Sequence, residues 1–201
     1  MLDLGLKVAL SYLIGSCVGS LILGRLFSKE DIRTLGSGNA GATNAYRVYG
    51  KIYGAAVLLI DVAKGFIAIK FIASLNLSIF PYEEHYFAML LCGMAAFLGH
   101  LFPIWYNYKG GKGVATALGL VMALNWKLGL LVLFFWVIVL LVSKYVSVAS
   151  TCAPLMCTIV SPYFVATYYE TAWYLIISIL IAYMHRSNFQ RIRDGTEGKF
   201  L

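Results

Sequence analysis

Three glycines around a lysine, Gly110-Gly111-Lys112-Gly113, stand directly before a helix-forming apolar run. A backbone of this kind bends tightly and can aim N–H groups at an anion. The order is not that of a Walker loop, which needs Ser or Thr where Gly113 stands, so nucleotide hydrolysis is not indicated. Lys112 is a candidate point-charge binder of phosphate, set against the ordinary role of a lysine that fixes topology at a membrane edge. His100, before Leu101-Phe102-Pro103, has the position of a histidine that caps a helix carbonyl, with a site role as the alternative.

Two further polar stretches carry suitable chemistry. In Gly36-Ser37-Gly38-Asn39-Ala40-Gly41-Ala42-Thr43-Asn44-Ala45-Tyr46-Arg47, the glycines match G-x-G-x-x-G by letter. A dinucleotide fold also requires a strand and a βαβ unit, which do not fit between membrane spans. Ser37, Asn39 and Thr43 offer short capping groups, and Arg47 follows as a phosphate-matching cation. The alternative is a small-residue turn for close helix packing. Near the C-terminus, His185, Asn188 and Arg191 recur at intervals of three, which places them on one helical face suited to an oxyanion. That stripe also fits a basic amphipathic tail on a bilayer.

The elements that must position these groups are membrane helices. The 201 residues are 61% hydrophobic and 12% charged, too apolar for a water-soluble domain. The apolar runs are continuous, which favours an all-α polytopic bundle over a barrel. About seven spans are expected: Leu4–Gly24, Tyr53–Leu75, Tyr86–Leu101, Val114–Leu124, Leu128–Val142, Val146–Val165 and Trp173–Met184. Leu4–Gly24 has no cleavage pattern or basic n-region, so it is read as the first span. Val114–Leu124 covers only about 16 Å as a helix, and re-entry there would invert everything before it.

With all spans crossing, Arg25 to Lys51, Lys109, Lys112, Lys144 and the tail from Arg186 fall on one side. The opposite loops, Asn76–Glu84, Asn125–Lys127 and Ala166–Thr171, hold Lys127 as their only Lys or Arg. The positive-inside rule then puts the N-terminus out and the C-terminus in. The formal charge of +7 is thereby accounted for by topology and anionic lipid or substrate, without nucleic acid. No linker divides the chain, so residues 1–201 are expected to form one domain.

Asp61 and Lys64 can pair within lipid, as a structural ion pair in preference to a transport site. Cys17, Cys92, Cys152 and Cys157 read as inert buried thiols without metal spacing. Ser147, Ser150 and Thr151 lie at the depth of the glycine loops. Ser150 and Thr151 are candidate site walls, although membrane hydroxyls commonly bond the carbonyl four residues back. All three polar stretches are expected on the cytoplasmic face, where a soluble anion can meet a hydrophobic substrate.

At these residues the chain resembles the bacterial acyl-phosphate-dependent glycerol-3-phosphate acyltransferases. The resemblance rests on Ser37 through Arg47, on Gly99-His100 through Lys109-Gly110-Gly111-Lys112-Gly113-Val114-Ala115-Thr116, and on His185-x-x-Asn188-x-x-Arg191 with Gly195-Thr196-Glu197. Asp61-Val62-Ala63-Lys64-Gly65 continues the first motif, while Met184 and Phe189 depart from the third. The resemblance implies transfer of an acyl group from acyl phosphate to the sn-1 hydroxyl of glycerol 3-phosphate, giving lysophosphatidic acid and phosphate. Acyl-CoA and acyl-carrier protein are not donors in that family, and no cofactor or metal is implied. It implies a multi-pass protein of the inner membrane with its site facing the cytoplasm.

Mixed-anhydride chemistry asks the protein for positioning and charge stabilisation. The residues expected to act catalytically are Lys112, His185, Asn188 and Arg47. Those expected to bind substrate are Ser37, Gly38, Asn39, Gly41, Thr43, Asn44, Gly110, Gly111, Gly113 and Ser150. His185 is expected to bind glycerol 3-phosphate in preference to acting as obligatory base. The rival readings are a transporter of a phosphorylated anion and a lipid-binding assembly protein.

Overall fold

Long apolar runs without strand-like alternation produce helices throughout the described residues. The structure, a computed structural model, describes residues 2–27, 29–75, 82–165 and 167–200. Of the expected loops, residues 76–81 and Ala166 lie outside that description. The described residues form ten α-helices: α1 (Leu2–Gly15), α2 (Gly19–Leu26), α3 (Ala42–Tyr49), α4 (Lys51–Ile67), α5 (Tyr82–Leu101), α6 (Val114–Leu124), α7 (Trp126–Ser143), α8 (Val146–Val160), α9 (Tyr168–Met184) and α10 (Arg186–Arg193). Three helical segments, His85–Tyr106, Trp126–Ser143 and Val146–Tyr163, are long and apolar enough to cross a membrane. The α1–α2 pair makes a fourth if counted as one bent span.

That pair corrects the sequence reading. Leu4–Gly24 is broken at residues 16–18, with a bend of 58° between α1 and α2. Elsewhere the expected helices appear with shifted ends, and Val114–Leu124 has the bounds expected of it. The rise in helix number comes from this break and from α3 and α10, two eight-residue helices in the polar stretches.

The chain forms two compact units, Met1–Leu124 and Asn125–Leu201. In the first, α1 packs on α5, and α4 packs on both α3 and α6. The α1–α5 crossing is close because glycines stand on both helices: a Cβ on Gly15 would strike the Ala96 backbone, and one on Gly99 the Tyr12 carbonyl. In the second unit, α8 lies between α7 and α9. Asn125 starts α7 by accepting the Leu128 N–H at 3.1 Å, and Lys144 ends it in a left-handed conformation. The outer side of α7 exposes Leu130, Phe134, Leu141 and Val142, as lipid contact requires.

Candidate active site

In the first unit, the Ser37–Arg47 stretch is a loop followed by α3. Its organiser is Asn44, which is 1% exposed. The Asn44 Oδ1 accepts the Ser37 N–H at 2.9 Å, and Nδ2 lies within 3.1 Å of the Ile32, Leu35 and Asn39 carbonyls. Gly36 (φ 56°) and Gly38 (φ 73°) are left-handed, and the Gly38 N–H turns inward to the Leu35 carbonyl. Asn44, Ser37 and Gly38 therefore spend these groups on shaping the loop. The first-turn N–H groups of α3, from Ala42, Thr43 and Asn44, have no acceptor within the helix. Gly41 is the residue preceding that turn, and the Asn39 amide covers its Cα. Arg47 lies further along α3 and is exposed.

The second loop is built against the end of α5. Helix ends leave carbonyls without donors; here Gly110 N–H donates to the Leu101 carbonyl at 3.1 Å and Gly111 N–H to the His100 carbonyl at 3.2 Å. These two N–H groups, expected at phosphate, close α5 instead. No side chain fits at either position, since a Cβ on Gly110 would meet the His100 carbonyl and one on Gly111 the His100 ring. Gly113 (φ 86°) turns the chain into α6 and packs on Phe97. Lys112, half-buried, is thus carried on a loop with little freedom.

The two loops are tied together. Arg33 donates from Nη1 to the Tyr106 carbonyl at 2.8 Å and to the Lys109 carbonyl at 3.2 Å, while Asp31 holds the other edge of its guanidinium at 2.6 Å. Tyr106 in turn lies under Arg25, whose guanidinium carbon is 4.7 Å from the ring centre. Neither Arg33 nor Asp31 stood out in the sequence. An Asp-x-Arg pair beside a membrane helix looks the same as any solvated pair.

Beneath these loops lies a buried cluster. Lys64 Nζ is 2.9 Å from Asp61 Oδ1, 2.7 Å from His100 Nδ1 and 3.2 Å from the Cys17 carbonyl. Asp61 Oδ1 also accepts the Gly19 N–H at 3.2 Å. The break in the first span explains the pair: the carboxylate meets the N-terminus of α2, and the ammonium meets a carbonyl at residues 16–18. The structural reading of Asp61 and Lys64 agrees with this arrangement, and His100 joins it as an unexpected third member.

In the second unit, His185 lies between α9 and α10 and is 4% exposed. Its Nδ1–H donates to the Ile181 carbonyl at 2.8 Å, which leaves the lone pair of the neutral ring on Nε2. Asn188 and Arg191 do share a face, and Glu197 joins them. Its Oε1 accepts from Asn188 Nδ2 at 2.6 Å and from Ser147 Oγ at 3.1 Å; its Oε2 accepts from Arg191 Nε at 2.8 Å. Burial alone would raise the Glu197 carboxyl, but these hydrogen bonds and the Arg191 charge outweigh it and hold it below the ordinary glutamate value. Ser150 Oγ accepts from Trp136 Nε1 at 3.1 Å, and Thr151 bonds the Ser147 carbonyl four residues back. Beyond Glu197, the Phe200 N–H reaches the Lys144 carbonyl at 2.8 Å.

The family model for glycerol-3-phosphate acyltransferase matches residues 6–195. The glycerol-3-phosphate acyltransferase of Pelagibacter ubique is 40% identical over 197 residues, covering 96% of each chain. That of Staphylococcus aureus is 40% identical over 191 residues, covering 94% of each. The crystal structure of PlsY, an integral membrane glycerol 3-phosphate acyltransferase, in its glycerol 3-phosphate form aligns with a TM-score of 0.88 at 35% identity. That alignment covers 98% of this chain and 96% of the other. The lysophosphatidic acid form of the same enzyme gives 0.85 at 34% identity, covering 98% and 94%. With matches that run through all three polar stretches and almost the full length, this chain belongs to the family of multi-pass integral membrane glycerol-3-phosphate acyltransferases.

Proposed function

We propose that the chain transfers the acyl group of acyl phosphate to the sn-1 hydroxyl of glycerol 3-phosphate at the cytoplasmic side of the inner membrane, releasing lysophosphatidic acid and phosphate. The observation that carries this reading is the near full-length likeness to PlsY in forms named for glycerol 3-phosphate and for lysophosphatidic acid, an acceptor and its acylated product. The whole chain serves as one acyltransferase domain of about seven crossings, with its N-terminus out and its C-terminus in, on the charge bias of its loops.

Lys112 and Arg47 neutralise phosphoryl oxygens, and the first-turn N–H groups of α3 with Asn39 and Thr43 supply directional donors. Gly110, Gly111 and Gly113 hold Lys112 in place, as Asn44, Ser37, Gly38 and Gly41 hold the first loop. Asn188, fixed by Glu197, and His185, fixed through Nδ1, bind glycerol 3-phosphate. Ser150 forms a wall on α8. As the glycerol hydroxyl attacks the acyl carbon, its proton passes to a phosphate oxygen of the substrate and the C–O bond to phosphate breaks. Charge on the carbonyl oxygen and leaving phosphate is met by the cations.

Purified protein mixed with acyl phosphate and labelled glycerol 3-phosphate tests this reading. Ester formation matched by phosphate release is expected, with no product when acyl-CoA or acyl-carrier protein replaces the donor. Uptake of label into vesicles without ester would instead indicate a transporter.

A further inference from the structure

We propose that His100, held from behind by Lys64 and Asp61, is a positioning residue that sets the loop carrying Lys112. This rests on the reading of Lys112 as a phosphate ligand.

A lysine ammonium has three N–H bonds, and Lys64 has three acceptors within 3.2 Å: Asp61 Oδ1, the Cys17 carbonyl and His100 Nδ1. His100 Nδ1 also stands 3.5 Å from Asp61 Oδ1, so the three side chains close on one another. The ring nitrogen that packs against Gly111 is Nε2. The ring is 3% exposed and cannot turn without removing an acceptor from a buried cation.

Gly111 meets this fixed ring on one side, and its N–H is fixed to the His100 carbonyl. The neighbouring N–H of Gly110 is fixed to Leu101. One histidine thus supplies both a backbone anchor and a side-chain floor for the residue preceding Lys112. Its back edge joins the loop to the break between α1 and α2 through Asp61, Gly19 and Cys17. For a lysine that must meet a phosphoryl group, a displacement of about 1 Å costs about 10²-fold in rate.

The test is a comparison of His100→Asn, Gly111→Ala and the double variant, with kcat, KM for glycerol 3-phosphate and thermal midpoint measured on each. His100→Asn offers an amide oxygen to Lys64 in place of Nδ1 but lacks the half of the ring under Gly111. The expected result is a drop of roughly 10–100-fold in kcat/KM for each single variant, with the thermal midpoint of His100→Asn near wild type. In the double variant, Gly111→Ala should add little further loss, because the atoms its Cβ would strike are gone. His100→Asn with wild-type kcat and KM overturns the proposal, as does a Gly111→Ala penalty equal in both backgrounds. Lys112→Ala run in parallel separates the two levels: activity surviving there overturns the phosphate role of Lys112 and this proposal with it. Activity lost there but fully kept in His100→Asn overturns the positioning role alone. If His100→Asn does not fold, His100→Gln in the same cycle with Gly111→Ala decides: a penalty that remains dependent on residue 100 supports the proposal, and an independent one overturns it.

Discussion

Arg33 donates to the backbone carbonyl of Tyr106 across 2.8 Å, which ties the segment before the first glycine loop to the segment before Lys112. The bond is aimed by Asp31, whose hydrogen bond from Arg33 keeps its carboxyl below the usual aspartate range and hence ionised at neutral pH. Arg33→Ala is expected to lower kcat/KM for glycerol 3-phosphate about tenfold, the worth of one charge-assisted hydrogen bond at about 1.5 kcal/mol. Arg33→Lys should recover only part of this, because a lysine cannot bridge Asp31 and two carbonyls in one plane. Steady-state kinetics on the purified variants checks the prediction, and unchanged constants in Arg33→Ala would contradict it.

Asn44 should behave as a scaffold residue. Asn44→Ala leaves the Ser37 N–H and the Ile32, Leu35 and Asn39 carbonyls without their amide partner, at a cost of about 3 kcal/mol. Asn44→Asp retains the acceptor but turns a carboxylate oxygen toward the carbonyls, so it too should destabilise. Thermal unfolding in detergent measures both. A variant with wild-type stability and a raised KM would instead make Asn44 a substrate ligand.

Glu197 joins the third motif to the start of α8. Glu197→Gln keeps the shape but places an amide where Arg191 expects an anion, and loss of activity on the order of tenfold is expected. The charge also fixes a pH dependence. The native carboxyl lies below its ordinary value, so its contribution to stability is fully present above about pH 4.3 and disappears as pH falls through the lower native value. Unfolding curves across that acid range should fall more steeply for wild type than for Glu197→Gln. Parallel curves would contradict the assignment.

The sequence made the three polar stretches, the short Val114–Leu124 helix and the common face of Asn188 and Arg191 visible, because spacing and residue type carry them. It hid the break at residues 16–18, since Ser16, Cys17 and Val18 are acceptable within an apolar helix. The clue was elsewhere: Asp61 and Lys64 inside a span imply helix ends in need of charge. Glycine N–H groups at 110 and 111 look suited to phosphate in the sequence, but a helix ending before Phe102-Pro103 has its own unsatisfied carbonyls, and these take them. Asn44 looks like a substrate ligand in the sequence because an asparagine in a glycine loop reads the same whether it faces inward or outward. Glu197 lay within a motif, but its three partners become neighbours only when the tail folds back.

The most direct measurement is acyl transfer by purified Lys112→Ala, followed as labelled lysophosphatidic acid and released phosphate from acyl phosphate and glycerol 3-phosphate. A loss of about 10²-fold or more in kcat/KM, in protein that still unfolds cooperatively near the wild-type temperature, is the predicted result. Transfer at close to the wild-type rate would contradict the account.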